Sequence, residues 1–152
     1  STTTLKENIV EYISKYRMIN DYVYVRDGKI IKLGIEATLY INKLADRVQI
    51  LQSAVQQITD FFAVQQDFGK NIYIASLIET LNNIGDVLNV TDLKFFNKVG
   101  GGQYSVNTPT MPYSDSTTKQ LDTSTYQTIF VDYDEVFEIK FPNKDIKINF
   151  VF

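Results

Sequence analysis

The chain has 152 residues and a net charge of −3, with 44% hydrophobic and 22% charged residues and neither cysteine nor histidine. Those two absences exclude disulfides, thiolate nucleophiles, zinc fingers and iron–sulfur clusters, and leave no imidazole for general-base work or a switch near neutral pH. The acidic balance argues against nucleic acid as a partner, because phosphate binding needs a basic surface, and no apolar run approaches the ~20 residues of a membrane span. The opening STTTLKENIVEY has no basic start followed by an apolar run, so signal-dependent secretion is not expected. A chain of this length fits one domain and buries about 70% of its unfolded surface without a metal or disulfide.

Thr4-Leu5-Lys6-Glu7 is a capping-box pattern, and Leu5, Ile9, Tyr12, Ile13 and Tyr16 follow at helical spacing, which predicts an amphipathic helix over 4–17. Asp27-Gly28 between aromatic and β-branched residues signals a hairpin. A two-residue turn there puts Tyr22 and Tyr24 on the core face, whereas a bulge at Gly28 puts Val23 and Val25 there; both arrangements fit the sequence. From Ile31 the alternation is clean. Ile31, Leu33, Ile35, Ala37, Leu39 and Ile41 share one face, and Lys32, Glu36, Thr38 and Tyr40 the other, as in a strand with one buried side.

Residues 45–63 switch to the helical period, with Val48, Leu51, Val55, Ile58 and Phe62 as a stripe widened by Ile50, Ala54 and Phe61. A second helix carries Ile74, Leu77, Ile78 and Leu81, and Gly85 is placed to end it in the left-handed conformation. The strand VLNVTDLKFF follows, its imperfect alternation predicting a bulge near Thr91-Asp92. Residues 99–128 are rich in Gly, Ser, Thr and Pro and read as a long polar arm with little to offer a core, removable without loss of the fold. In the stretch 129–152, pairing about Asn143-Lys144 sets Phe141 opposite Ile146, Ile139 opposite Ile148 and Phe137 opposite Phe150, which predicts a C-terminal β-hairpin.

Helix, hairpin, helix, helix, strand and hairpin imply an α+β two-layer sandwich, with helices packed on one face of a mixed, mainly antiparallel sheet. The strands flanking the two central helices are expected to lie parallel under the right-handed crossover rule.

Little chemistry is on offer. Gly100-Gly101-Gly102 opens no helix and lacks a Gly-Lys-Ser/Thr ending, so it reads as a hinge and not as a phosphate loop. Asp132, Asp134 and Glu135 form the densest acidic cluster, without the spacing of a calcium loop, and read as a solvated face. Ser76 with Lys70, and Ser14 with Lys15, lack an orienting third group. No catalytic residue, cofactor or metal is therefore expected. Tyr104, Met111, Tyr113 and Tyr126 sit in the polar arm; they either pack back on the domain or form an interface, where exposed aromatics and Met are enriched.

One further pattern is familiar. The strand IIKLGIEATLYI, the helix ADRVQILQSAVQQITDFF, a Phe-Gly connector, and IYIASLIETLNNI leading into a Val-Asn-Val-Thr-Asp-Leu strand resemble the C-terminal region of T4-type bacteriophage baseplate wedge proteins, in the baseplate J-like family. The lead-in Lys15-Tyr16-Arg17-Met18 and Asp21-Tyr22-Val23 is similar too, and the likeness covers residues 4–98. That family usually places Gly directly before Val at the helix–strand break, whereas here Asp86 stands between Gly85 and Val87. The resemblance implies a structural domain, part of a longer protein, in the baseplate of a contractile tail and assembled in the host cytoplasm. Its implied partners are other copies of itself, as dimer or ring, and other wedge subunits. The alternatives from other classes are a ligand-binding α+β regulatory module between subunits, or a tail-associated hydrolase using two of Glu36, Glu79 and Asp92.

Overall fold

In the computed structural model the described residues are 28–64 and 67–152. The predicted helix over 4–17, the Ser14–Lys15 pair and the first strand of the Asp27-Gly28 hairpin lie outside them. Eleven elements follow in chain order: β1 (Lys29–Ile41), α1 (Arg47–Ala63), β2 (Ile72–Tyr73), α2 (Ile74–Asn82), β3 (Val87–Asn97), β4 (Tyr113–Asp115), β5 (Gln120–Leu121), β6 (Thr128–Ile129), β7 (Glu135–Glu138), α3 (Pro142–Asp145) and β8 (Ile146–Val151). The fold is α+β, a curled mixed sheet of six strands with the helices packed against it.

β1 is the organising strand. Its six inward side chains, Ile31 to Ile41 at every second position, are all at most 2% exposed. Each Ile or Leu burial among them contributes about 1.5–3 kcal/mol relative to an exposed side chain. On one side β1 pairs antiparallel with β3, and Thr91 is the extra residue where the register shifts between Thr38–Asp92 and Leu39–Val90. The Thr91 hydroxyl donates to the Thr38 carbonyl at 3.2 Å, which fixes the expected bulge.

The antiparallel sense of β1 and β3 corrects the parallel arrangement expected from the crossover rule. Two helices intervene. α1 carries the chain away from the end of β1, α2 brings it back, and the Asn42 amide donates to the Asp86 carbonyl at 3.1 Å where the two strands meet. An even number of helical passes returns β3 to the end that β1 left, so it runs the other way.

α1 is capped by Asp46, whose carboxylate accepts from the amides of Val48 and Gln49. Its buried row is Ile50, Ala54, Ile58 and Phe62. Val48 is 63% exposed and Leu51 39%, so the stripe is rotated from the expected one. α2 buries Ile74, Leu77 and Leu81 as expected. It ends at Asn83 in ordinary helical geometry, and the left-handed residue is Asp86 at φ 70, not Gly85.

The C-terminal hairpin is not formed. β7 pairs parallel with Lys29–Lys32 of β1, and β8 pairs parallel with Ile35–Tyr40 of the same strand. Both therefore run in one direction along one side of β1. Pro142 opens a single helical turn between them, where a missing N–H costs nothing. That turn lifts the chain out and returns it to the same course. Phe141, expected opposite Ile146 in the core, is 37% exposed.

Nor is the stretch 99–128 an appendage. β5 pairs with β3 at Phe96–Gln120, β4 pairs with β5, and Met111 and Leu121 enter the core at 6% and 1% exposure. Gly100, Gly101 and Gly102, read as a hinge, adopt successive φ values of 73°, 66° and 76°, a left-handed turn closed by the Tyr104 amide donating to the Gly100 carbonyl.

Candidate interaction surface

The four arm residues separate into three that fold back and one that does not. The half-buried Tyr104 donates its hydroxyl to Asp145 Oδ1 at 2.6 Å and meets Phe141 edge-on at 5.8 Å. Burial, reinforced by that carboxylate, pushes the Tyr104 hydroxyl up to about 12, so it remains a donor through the neutral range. Met111 is buried. The Tyr113 hydroxyl donates to Asn97 Oδ1 at 2.7 Å, and its pKa is raised by burial. Asn97 Nδ2 in turn donates to the Lys32 carbonyl at 3.2 Å, so Tyr113 closes a polar chain behind β1.

Tyr126 is 70% exposed and stacks edge-on with Phe130 at 5.5 Å; Phe130 is itself 43% exposed. On the two-stranded ribbon below them Tyr73 pairs with Thr128, while the neighbouring Ile72 and Ile129 point inward. Tyr73, 59% exposed, lies on the outward side of the same ribbon. These three exposed aromatics stand on or beside a ribbon anchored by core residues. Only Tyr126 of the three was singled out from sequence; Tyr73 and Phe130 were missed because alternation alone leaves a two-residue strand illegible.

The acidic cluster is not the solvated face expected. Glu135 is fully buried, and its carboxylate accepts from the Asp132 amide at 2.9 Å and from the amide and hydroxyl of Thr110 at 2.8 and 3.1 Å, with Lys29 Nζ at 3.6 Å. Among the described residues no three acidic side chains gather as metal ligands. Ser76 and Lys70 are both exposed, Ser76 on α2 and Lys70 ahead of β2.

The side of the sheet turned away from α1 and α2 carries a polar ladder. Glu36 lies between Lys94 of β3 and Lys147 of β8, Thr38 between Asp92 and Asn149, and Tyr40 between Asn89 and Val151. Asn149 Nδ2 donates to Glu36 at 3.1 Å, and Lys147 Nζ stands 3.8 Å from the same carboxylate. Toward one end Tyr40, Leu88 and Val151 are 43–56% exposed; Phe152, next along the chain, meets the helical side, where the Arg47 guanidinium of α1 lies 3.9 Å above its ring.

Of the three carboxylates weighed for hydrolysis, Glu36 is held by Asn149 and Lys147, Asp92 lies 3.6 Å from Lys94, and Glu79 is exposed on α2 in the other layer. A hollow of about 360 Å³ beside β3 has both Asp92 and Asp122 in its lining. Asp122 there accepts from the Ser124 hydroxyl at 2.9 Å. No helix among the described residues is long and apolar enough to cross a membrane. No protein-family profile matches the chain, and no curated protein sequence matches it either.

Proposed function

We propose that this chain is an assembly domain, a structural component of a contractile phage tail baseplate wedge that associates with its own copies and with neighbouring subunits. The observation that carries the reading is the exposed ring pair Tyr126–Phe130, beside a ribbon whose outward side also exposes Tyr73 and whose other side is buried. Aromatics standing clear of water's reach only when covered are the usual anchors of protein contacts. The sequence resemblance over residues 4–98 supplies the biological setting. The product of such a domain is shape.

Sedimentation velocity of the full chain at tens of micromolar tests this. The wild type is expected to associate, and the double variant Tyr126→Ser/Phe130→Ser to associate at least about tenfold more weakly with unchanged melting, as loss of an interface anchor does. A wild type that stays monomeric throughout ends the reading. The hollow holding Asp92 and Asp122 favours a second one, a ligand-binding module or tail-associated hydrolase. Clearing of peptidoglycan in a zymogram by the wild type, and not by Asp92→Asn/Asp122→Asn, would replace the assembly role.

A further inference from the structure

β8 meets β1 along one edge, and among the described residues no strand meets its other edge. Every second residue of a strand turns its N–H and C=O away from a single partner, so this free edge presents a row of donors and acceptors. Edge strands are ordinarily guarded by Pro, bulges, extreme shortness or several charges. β8 is six residues, Ile-Lys-Ile-Asn-Phe-Val, with one charge, and that charge is met by Glu36 at 3.8 Å. Its inward side chains are also incompletely covered: Ile146 is 5% exposed, while Ile148 and Phe150 on the same face are only half-buried.

We propose that a second copy of this chain lays its own β8 along this edge, antiparallel, about a two-fold axis at Asn149. The proposal rests on the assembly reading and adds to the aromatic patch a second surface, through which two copies pair. A two-fold axis normal to the sheet sets inward residues opposite inward ones, as a continuous apolar layer requires. The register about Asn149 pairs Lys147–Val151 of each copy, placing Ile148 opposite the partner's Phe150, Lys147 opposite the partner's Val151, and Asn149 opposite itself. The half-covered Ile148 and Phe150 then complete each other's burial.

No like charges face one another in that register. The two Lys147 residues lie four positions apart along the ladder, ~13 Å, beyond the ~8 Å over which charges act at physiological salt. The strand is thus complementary to itself in face and in charge, which is the argument for a second copy over an unrelated strand. Pairing joins two six-stranded sheets and closes at two copies.

The absence of cysteine makes the test direct. Directly opposed residues of an antiparallel pair lie within the Cα separation a disulfide spans. Asn149→Cys is therefore expected to give a covalent dimer on mild oxidation, while Ser114→Cys, on β4 at the far edge, stays monomeric on the same gel. Val151→Lys, at a side chain 47% exposed and so tolerant of change, sets Lys against the partner's Lys147 and is expected to weaken dimerisation about tenfold or more at low salt. Adding Lys147→Glu restores it. Association that persists in Val151→Lys, with no cross-link through Asn149→Cys, overturns this edge and leaves the assembly reading standing. A monomer under all conditions overturns both. A monomer that dimerises only after removal of residues 1–27 assigns the edge to that segment and overturns the pairing of copies.

Discussion

Glu135 joins three stretches of chain that lie far apart in sequence: the start of β1 through Lys29, the arm through Thr110, and its own turn through the Asp132 amide. A buried carboxylate is tolerable only when such donors surround it. Glu135→Ala leaves the amides of Thr110 and Asp132 without an acceptor, while the Thr110 hydroxyl keeps Asp132 Oδ2 at 3.2 Å, and is expected to cost about 2–4 kcal/mol. Urea unfolding checks this as a lowered midpoint at unchanged slope. Asp86 occupies the left-handed slot of the Ile84–Val87 turn, which closes with the Val87 amide on the Ile84 carbonyl at 3.2 Å. Positive φ is costly for a β-branched side chain and mild for Asp. Asp86→Val is therefore expected to destabilise by about 1–2 kcal/mol and Asp86→Gly by less than about 0.5 kcal/mol, measured by the same unfolding curves. Such roles were hidden in the sequence for different reasons. Thr110 is the residue that makes Glu135 buriable, and nothing local to Asp132–Glu135 announces it. At the helix–strand break the resemblance did draw attention to Asp86, but residue identity alone pointed to Gly85 as the left-handed position.

Elements were legible where one residue pattern decides one geometry. The face of β1 followed from alternation, and α2 from its apolar spacing. The Thr91 bulge followed from the point where alternation fails. α1 was legible as a helix but not in its rotation. Val48 and Leu51 are as apolar as Ile50 and Ala54, and only the position of the sheet decides which row is covered. Partnership was the least legible property. Alternation in β7 and β8 tells which side chains face inward, and that pattern is the same whether the strands pair with each other or both with β1. The arm was misjudged because its two core residues, Met111 and Leu121, are isolated in polar sequence. Replacing residues 103–126 by a short Gly-Ser linker is accordingly expected to lose the cooperative unfolding transition, since it removes both core side chains and the Tyr113–Asn97 bond. A linker variant that melts cooperatively at the wild-type temperature would show the arm to be energetically idle.

At the scale of the whole molecule, β1 is bordered by β3 on one side and by β7 and β8 on the other, so its pairings span very different separations in sequence. β3 reaches it through two helices, whereas the Asn149–Glu36 bond closes a separation of 113 residues. Closing a loop of that length is entropically late, and chains dominated by such pairings fold slowly. During the delay a unit of β1, α1, α2 and β3 stands with the other flank of β1 bare. A β8 from any nearby chain fits that flank as well as its own does, because the sequences are identical. Crowded refolding therefore favours exchanged dimers, in which each chain finishes the sheet of the other, and dilute refolding favours chains that finish their own.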